Sequence, residues 1–123
     1  MSAEQVLELR VHADDADDAA LDQLARQLRG QLLDLDVDAV EALPSEEAPD
    51  DSKALDLVVV GGLLVKFGPG VAAAVANAVR AWVNRGGHRS VTMKIGDHEI
   101  TLQAATAEQQ EKLVEAWLAD VRA

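Results

Sequence analysis

The stretch VTMKIGDHEITLQ, residues 91–103, decides the fold class. Apolar and polar side chains alternate over 91–95 and again over 99–103, which predicts two half-buried strands. Gly96 and Asp97 separate the two runs and provide the glycine that tight hairpin turns favour. We therefore predict a β-hairpin in this part of the chain.

A helix is predicted after this hairpin. Thr106 and Gln109 have the three-residue spacing of a capping box, which marks a helix start. The apolar residues that recur at helical spacing beyond it are Val114, Trp117, Leu118 and Val121. This stripe is expected to pack in the core, and so is Trp82, which belongs to the helix described next.

The segment before the hairpin predicts another helix. Gly68-Pro69-Gly70 breaks the chain, and proline suits a first helical turn. Gly86-Gly87 is expected to end the helix. The apolar stripe between these breaks consists of Val71, Val75, Ala78, Val79 and Trp82.

The N-terminal third begins with alternation over 5–13, which predicts a strand. Asp14–Asp18 then supplies N-cap candidates and first-turn carboxylates for a helix. This helix has a regular apolar stripe through Leu21, Leu24 and Leu28, and Gly30 is placed to end it.

A second strand is predicted at about 33–43, where apolar residues alternate with Asp34, Asp36 and Asp38. The alternation slips near Val40, which indicates a bulge or the end of the strand. The next segment, 44–53, is rich in proline and charge and predicts a solvated loop.

Residues 54–67 fit two interpretations. Val58, Val59 and Val60 before a glycine pair favour a short buried strand, since they are β-branched. Alternatively, Ser52 caps a helix to about Lys66 that is apolar almost all round and therefore buried. The helix is the preferred interpretation.

Together these elements predict one α/β (α+β) domain over residues 1–123. The predicted order is β-α-β-(α)-α-β-β-α, a four-stranded mixed sheet with helices largely on one face. A length of 123 residues and 49% apolar composition are sufficient for one core.

The net charge of −11 is unevenly distributed. Residues 1–56 hold 16 carboxylates and 4 basic residues, whereas 57–123 hold 6 and 7. An acidic field repels phosphate backbones and anionic lipids, so we expect no nucleic-acid partner. The apolar runs over 54–83 are too short and too interrupted to cross a bilayer. Without cysteines or an export signal, a cytoplasmic location is expected.

No pattern predicts catalysis or a bound cofactor. His12, His88 and His98 are scattered and lack zinc-motif spacing. Counted from Asp14, a calcium loop would need glycine and a carboxylate where Ala19 and Ala25 stand. The serines lack a nucleophile elbow, and the glycines match neither a P-loop nor a dinucleotide fingerprint. We therefore expect no catalytic, cofactor-binding or metal-binding residues and no enzyme activity.

Two features are candidate partner contacts. The first is the row Asp34, Asp36 and Asp38, which a strand would place on one face about 7 Å apart. Such a row also serves simply as a charged edge that prevents aggregation. The second is the apolar middle segment. Its candidate contact residues are Leu63, Leu64 and Phe67.

The run from Val71 to Leu118 resembles the effector-associated constant component family of bacterial conflict systems. The matching features are Ala81-Trp82-Val83-Asn84-Arg85 at a helix end, the two hairpin strands around Gly96-Asp97, and the closing helix. The opening strand and the Leu28-Arg29-Gly30 helix end also fit. The segment at 44–53 departs from the family, where a glycine-rich, Met-Gly-containing approach is expected.

This resemblance implies a non-catalytic adaptor that couples a variable effector, such as a caspase-like or trypsin-like protease, to invasion sensing. The residues themselves leave two alternatives open. One is a metal- or small-ligand-binding domain or small enzyme using His12 or His98 with nearby carboxylates. The other is a module that assembles with itself.

Overall fold

A computed structural model describes residues 5–44, 58–68, 70–86, 89–103 and 107–122. These residues form five strands and three helices. In chain order they are β1 (Gln5–Ala13), α1 (Asp18–Leu33), β2 (Val37–Pro44), β3 (Val58–Phe67), α2 (Ala72–Arg85), β4 (Arg89–Ile95), β5 (His98–Gln103) and α3 (Ala107–Arg122).

The strands form one sheet with the order β2-β3-β1-β4-β5. Every neighbouring pair is antiparallel. The α+β class is therefore confirmed, but the prediction of four strands in a mixed sheet is wrong. The fifth strand is β3, which comes from the middle segment. It lies between β1 and β2 and is antiparallel to both.

The preferred helix at 54–66 is wrong where the structure describes it, because 58–67 is strand β3. Leu63, Val65 and Phe67 point into the core, while Leu64 and Lys66 are only partly buried. This period of two, with β-branched valines at the strand start, suits a strand that has neighbours on both sides. The strand contacts β1 along one edge and β2 along the other.

Helix α1 also differs from the prediction, because Gly30 lies inside the helix instead of ending it. The helix continues to Leu33 since Leu32 extends the buried stripe by another turn. The strand predicted from residue 33 therefore starts only at Val37. Its register shifts between Val37 and Ala39 and again between Ala42 and Pro44.

All three helices pack against the same face of the sheet. Helix α1 contacts β1, β2 and β3, whereas α2 contacts β4 and β5 and α3 contacts β5. The core lies between these two layers. Its largest fully buried members are Phe67, Leu7, Leu9, Leu28, Leu32 and Met93.

Several local predictions are confirmed. Asp17 is the N-cap of α1, and its Oδ1 accepts a hydrogen bond from the Ala20 backbone N–H at 2.9 Å. Gly86 follows α2 directly, and Trp82 and Trp117 are both buried. The two hairpin strands pair as expected on either side of a turn at Gly96, whose φ is 59°.

Other predictions fall outside the described residues. These concern the loop after Pro44, the Thr106 cap, the helix start at Pro69 and the position of His88. Among the helices that the structure describes, none is long and apolar enough to cross a membrane.

Candidate functional site

The face of the sheet opposite the helices carries no helix in the described parts of the chain. We call it the open sheet face. Strand alternation and register place one set of side chains there, because their strand neighbours point into the core. The principal members are Glu8, Arg10, Glu41, Leu64, Lys66, Thr92, Lys94, Glu99 and Thr101.

Opposite charges alternate across this face. Glu8 lies directly opposite Lys94, and Lys94 lies opposite Glu99, so one row crosses three strands with signs minus, plus, minus. At the β2 side the Lys66 ammonium contacts the Glu41 carboxylate at 3.3 Å. Cross-strand pairs of opposite charge stabilise a sheet modestly.

The next row across the same strands is uncharged except for Arg10. Arg10 is opposite Thr92, which is opposite Thr101. The Thr92 hydroxyl is 3.1 Å from the Thr101 hydroxyl and 3.4 Å from His12 Nε2. This row therefore offers hydroxyl and guanidinium groups beside the charged row.

The two rows line a shallow depression of about 340 Å³. Its walls are Glu8, Arg10, Thr92, Lys94 and Glu99. The depression thus presents carboxylates, cations and a hydroxyl in close alternation. Such a surface can hydrogen-bond and pair with a partner of mixed charge, but it offers little apolar area to a small ligand.

The predicted apolar contact residues separate into two groups. Leu64 is on the open sheet face, between Glu8 of β1 and Glu41 of β2. Leu63 and Phe67 point the other way and are buried in the core at 4% and 0% exposure. In the folded chain Leu64 is therefore the accessible residue of these three.

The predicted acidic row does not lie on one strand. Asp34 is the C-cap of α1, Asp36 is in the following turn, and Asp38 is in β2 beside the first register shift. All three carboxylates are exposed. Asp34 and Asp36 line a separate hollow with Val71 and Ala74 near the start of α2. Their role in binding a partner stays a prediction.

The histidines that the structure describes lie in different surroundings. His12 is at the end of β1 near Thr92, whereas His98 begins β5 and its carbonyl accepts a hydrogen bond from Trp117 Nε1 at 3.0 Å. Within the described ranges, no group of three or more His, Asp or Glu side chains is placed to hold a metal ion.

The open sheet face could be found only in part from the sequence. Alternation identifies which residues of β1, β4 and β5 face away from the core. The register of β1 against β4, which brings Glu8 opposite Lys94, requires the sheet order.

No model of a known protein family, no curated protein and no solved structure matches this chain, and the resemblance to effector-associated constant components therefore stays a prediction.

Proposed function

We propose that the chain is a non-catalytic protein-interaction domain, an adaptor that holds a partner protein on its open sheet face. One observation carries this proposal: in the described residues all helices pack on one side of a five-stranded sheet. Antiparallel sheets commonly keep one solvated face, so the pattern of side chains on that face is what favours binding.

The pattern combines balanced charge with small apolar contacts. The open sheet face has three carboxylates and three cations, although the whole chain has a net charge of −11. The carboxylates are Glu8, Glu41 and Glu99, and the cations are Arg10, Lys66 and Lys94. Leu64 is among these charges, and Val6 beside it is 40% exposed. Interfaces commonly join apolar anchors to a charged rim that sets register and excludes wrong partners.

This surface fits a protein that presents both signs of charge around an apolar contact. A purely basic partner would instead be attracted to the acidic N-terminal half of the chain. The resemblance to effector-associated constant components suggests that the partner is an effector, such as a caspase-like or trypsin-like protease. The adaptor would hold it through contacts and perform no chemistry on it.

The test begins with capture of partners from the native host and their identification. Binding of the purified partner is then measured for the wild type and for Arg10→Glu and Leu64→Ser on the open sheet face. Arg26→Glu is the matched control, because it makes the same charge change on α1, where the Arg26 side chain is 78% exposed. We expect about ten-fold weaker binding for the two sheet-face variants and unchanged binding for the control.

A triple variant tests the other predicted surface. Replacing Asp34, Asp36 and Asp38 by lysine reverses the charge at the end of α1 and the start of β2. If this variant loses binding while Arg10→Glu and Leu64→Ser retain it, the open sheet face is not the contact surface. If an enzymatic activity is found that survives purification to homogeneity, the adaptor function is wrong.

A further inference from the structure

The two edge strands of the sheet differ in how they are protected. β2 has two register shifts and ends at Pro44, and the Arg29 guanidinium donates a hydrogen bond to the Val40 carbonyl at 3.1 Å. Bulges, proline and covering side chains are the devices by which proteins prevent edge pairing. β5 pairs with β4 in continuous register and contains no proline, and the one outward carbonyl that a helix side chain contacts in the described part of this edge is that of its last residue, Gln103.

The turn at Gly96 determines which backbone groups of β5 point outward. Ile95 and His98 close this two-residue turn and form a hydrogen-bonded pair, and such pairs alternate along an antiparallel ladder. The N–H and C=O groups of Glu99, Thr101 and Gln103 therefore point away from β4. Consistent with this direction, the Gln103 carbonyl accepts a hydrogen bond from Gln110 Nε2 of α3 at 2.8 Å.

An exposed apolar side chain, Leu113, lies near the β5 edge of the sheet. Leu113 of α3 is 41% exposed. It lies within one helical turn of Gln110, which donates a hydrogen bond to the outward-pointing Gln103 carbonyl of β5. Leu118, on the other flank of α3, is buried. Leu113 is thus on the outer flank of the helix, beside an edge of the sheet to which no further described strand pairs.

We propose that β5 pairs antiparallel with β5 of a second copy of this chain and joins the two sheets into one of ten strands. The sequence of β5 is complementary to itself about Thr101. With Thr101 opposite Thr101, each Glu99 lies opposite Gln103 of the second copy, and no like charges face one another. Ile100 lies opposite Leu102 on the helix side of the joined sheet.

The same two-fold arrangement brings the α3 helices of the two copies near each other. Each exposed Leu113 then faces Leu113 of the other copy, and this contact adds hydrophobic burial to the strand hydrogen bonds. A contact of one short strand and one helix flank is small among specific interfaces, so we expect a dissociation constant on the order of 10 µM. This inference does not depend on the proposed adaptor function.

The test measures the mass of the full chain by sedimentation over a series of concentrations. The wild type should rise from 13.1 kDa toward twice that mass. Thr101→Lys places two ammonium groups across the two-fold axis, and Leu113→Glu places two carboxylates near each other. Each variant should raise the dissociation constant at least about ten-fold, whereas Ala42→Lys on the other edge strand should match the wild type.

Amide hydrogen exchange provides an independent readout. The Glu99 and Thr101 amides should exchange more slowly at concentrations where the wild type is dimeric, and Thr101→Lys should abolish that difference. A wild type that keeps the mass of one chain at every concentration overturns the proposal. So does a dimer that Ala42→Lys weakens as much as Thr101→Lys, or a single chain whose β5 edge binds an extended segment of another protein.

Discussion

The side-chain amides of Asn84 and Gln110 exchange two hydrogen bonds, at 2.8 and 2.9 Å. They join α2 to α3, and the Gln110 amide also donates to the Gln103 carbonyl at the end of β5. Gln110 is 2% exposed and is the one buried polar side chain among the described residues. Helix α2, helix α3 and strand β5 are therefore joined by the Gln110 side chain, whose amide oxygen and nitrogen both have hydrogen-bond partners.

Replacing Gln110 by leucine should destabilise the fold by about 1–2 kcal/mol, because the change removes all three hydrogen bonds of a buried side chain. The measurement is the free energy of unfolding in urea. Asn84→Ala should cost less, since Asn84 is on the exposed side and its loss leaves Gln110 still bonded to Gln103. If Gln110→Leu were as stable as the wild type, apolar packing alone would account for this junction.

The sequence did not identify this junction. Gln110 follows Gln109, which has the capping-box spacing, and neither residue is apolar. Only the position of Gln110 on the stripe shared with Val114 and Trp117 indicates that it is buried. A glutamine on a buried stripe needs partners from other elements, and the sequence does not show that these are Asn84 and the Gln103 carbonyl.

Gly30 provides a second prediction because it is inside α1 instead of after it. Nothing lies within 4 Å of the position where a Cβ would be. Gly30→Ala should therefore raise the free energy of unfolding by about 0.5–1 kcal/mol, since alanine restricts the unfolded chain and favours helix. A loss of stability would mean that the helix ends near Gly30, as the sequence alone indicates.

Gly61→Ala is the matched contrast. Gly61 has φ of 77°, a left-handed conformation that L side chains rarely adopt, and a Cβ there would meet the Val11 carbonyl oxygen at 3.1 Å. We expect a loss of at least about 1–2 kcal/mol in the same urea experiment. Opposite effects of one chemical change at Gly30 and Gly61 would confirm both backbone conformations.

These glycines also show why the middle of the fold was difficult to predict. A glycine before Gln31-Leu32 is a reasonable helix end by local rules, but the burial of Leu32 extends the helix. In β3, the run of apolar residues around Gly61 and Gly62 fits a buried helix as well as a buried strand. This segment is a strand because it pairs with β1 on one side and β2 on the other. Both pairings join residues that are distant in sequence, so local patterns do not predict them.

Arg89 provides a third prediction, through its contact with Trp82. The guanidinium carbon lies 3.9 Å from the centre of the indole ring, and Nε donates a hydrogen bond to the Trp82 carbonyl at 3.0 Å. Burial, and secondarily the Arg85 cation, lower the pKa of Arg89. Arg89→Ala should cost about 1.5–3 kcal/mol, because a stacked cation and its hydrogen bonds are lost together.

Urea unfolding monitored by tryptophan fluorescence measures this loss. Arg89→Lys should recover only part of the stability. The planar guanidinium lies flat on the indole ring and donates a hydrogen bond to the Trp82 carbonyl at the same time, whereas a lysine ammonium is not planar and cannot do both. Arg85→Ala is the control. Arg85 is exposed and donates one hydrogen bond to Gln31, so its removal should change stability by less than about 0.5 kcal/mol. Equal losses at Arg85 and Arg89 would contradict the stacking account.

The candidate site was less predictable than the core. The apolar alternation that identifies buried Leu7, Leu9 and Val11 also identifies Glu8 and Arg10 as outward residues. It cannot show whether helices cover that side as well. The alternation of Asp34 and Asp36 with apolar residues predicts an outward row on one strand face. That alternation is accidental, since a helix end and a turn occupy those positions.

The charged row on the open sheet face leads to the last prediction. Lys94 is directly opposite Glu8 on one side and Glu99 on the other. Lys94→Glu would place three carboxylates in one row across β1, β4 and β5. Because directly opposite like charges destabilise a sheet, we expect a loss of about 1–2 kcal/mol at low salt. Salt should reduce this loss, since exposed charges are screened over about 10 Å at 0.1 M.

Lys94→Gln separates the two causes of that loss. It removes the cation without adding a carboxylate, so it should cost only about 0.5 kcal/mol, the usual contribution of an exposed pair. The measurement is the unfolding free energy of both variants at low and high sodium chloride. The difference between Lys94→Glu and Lys94→Gln should shrink with salt. If both variants instead lose the same stability at low and at high salt, the loss comes from packing of the Lys94 methylene chain, and the row contributes no electrostatic stability.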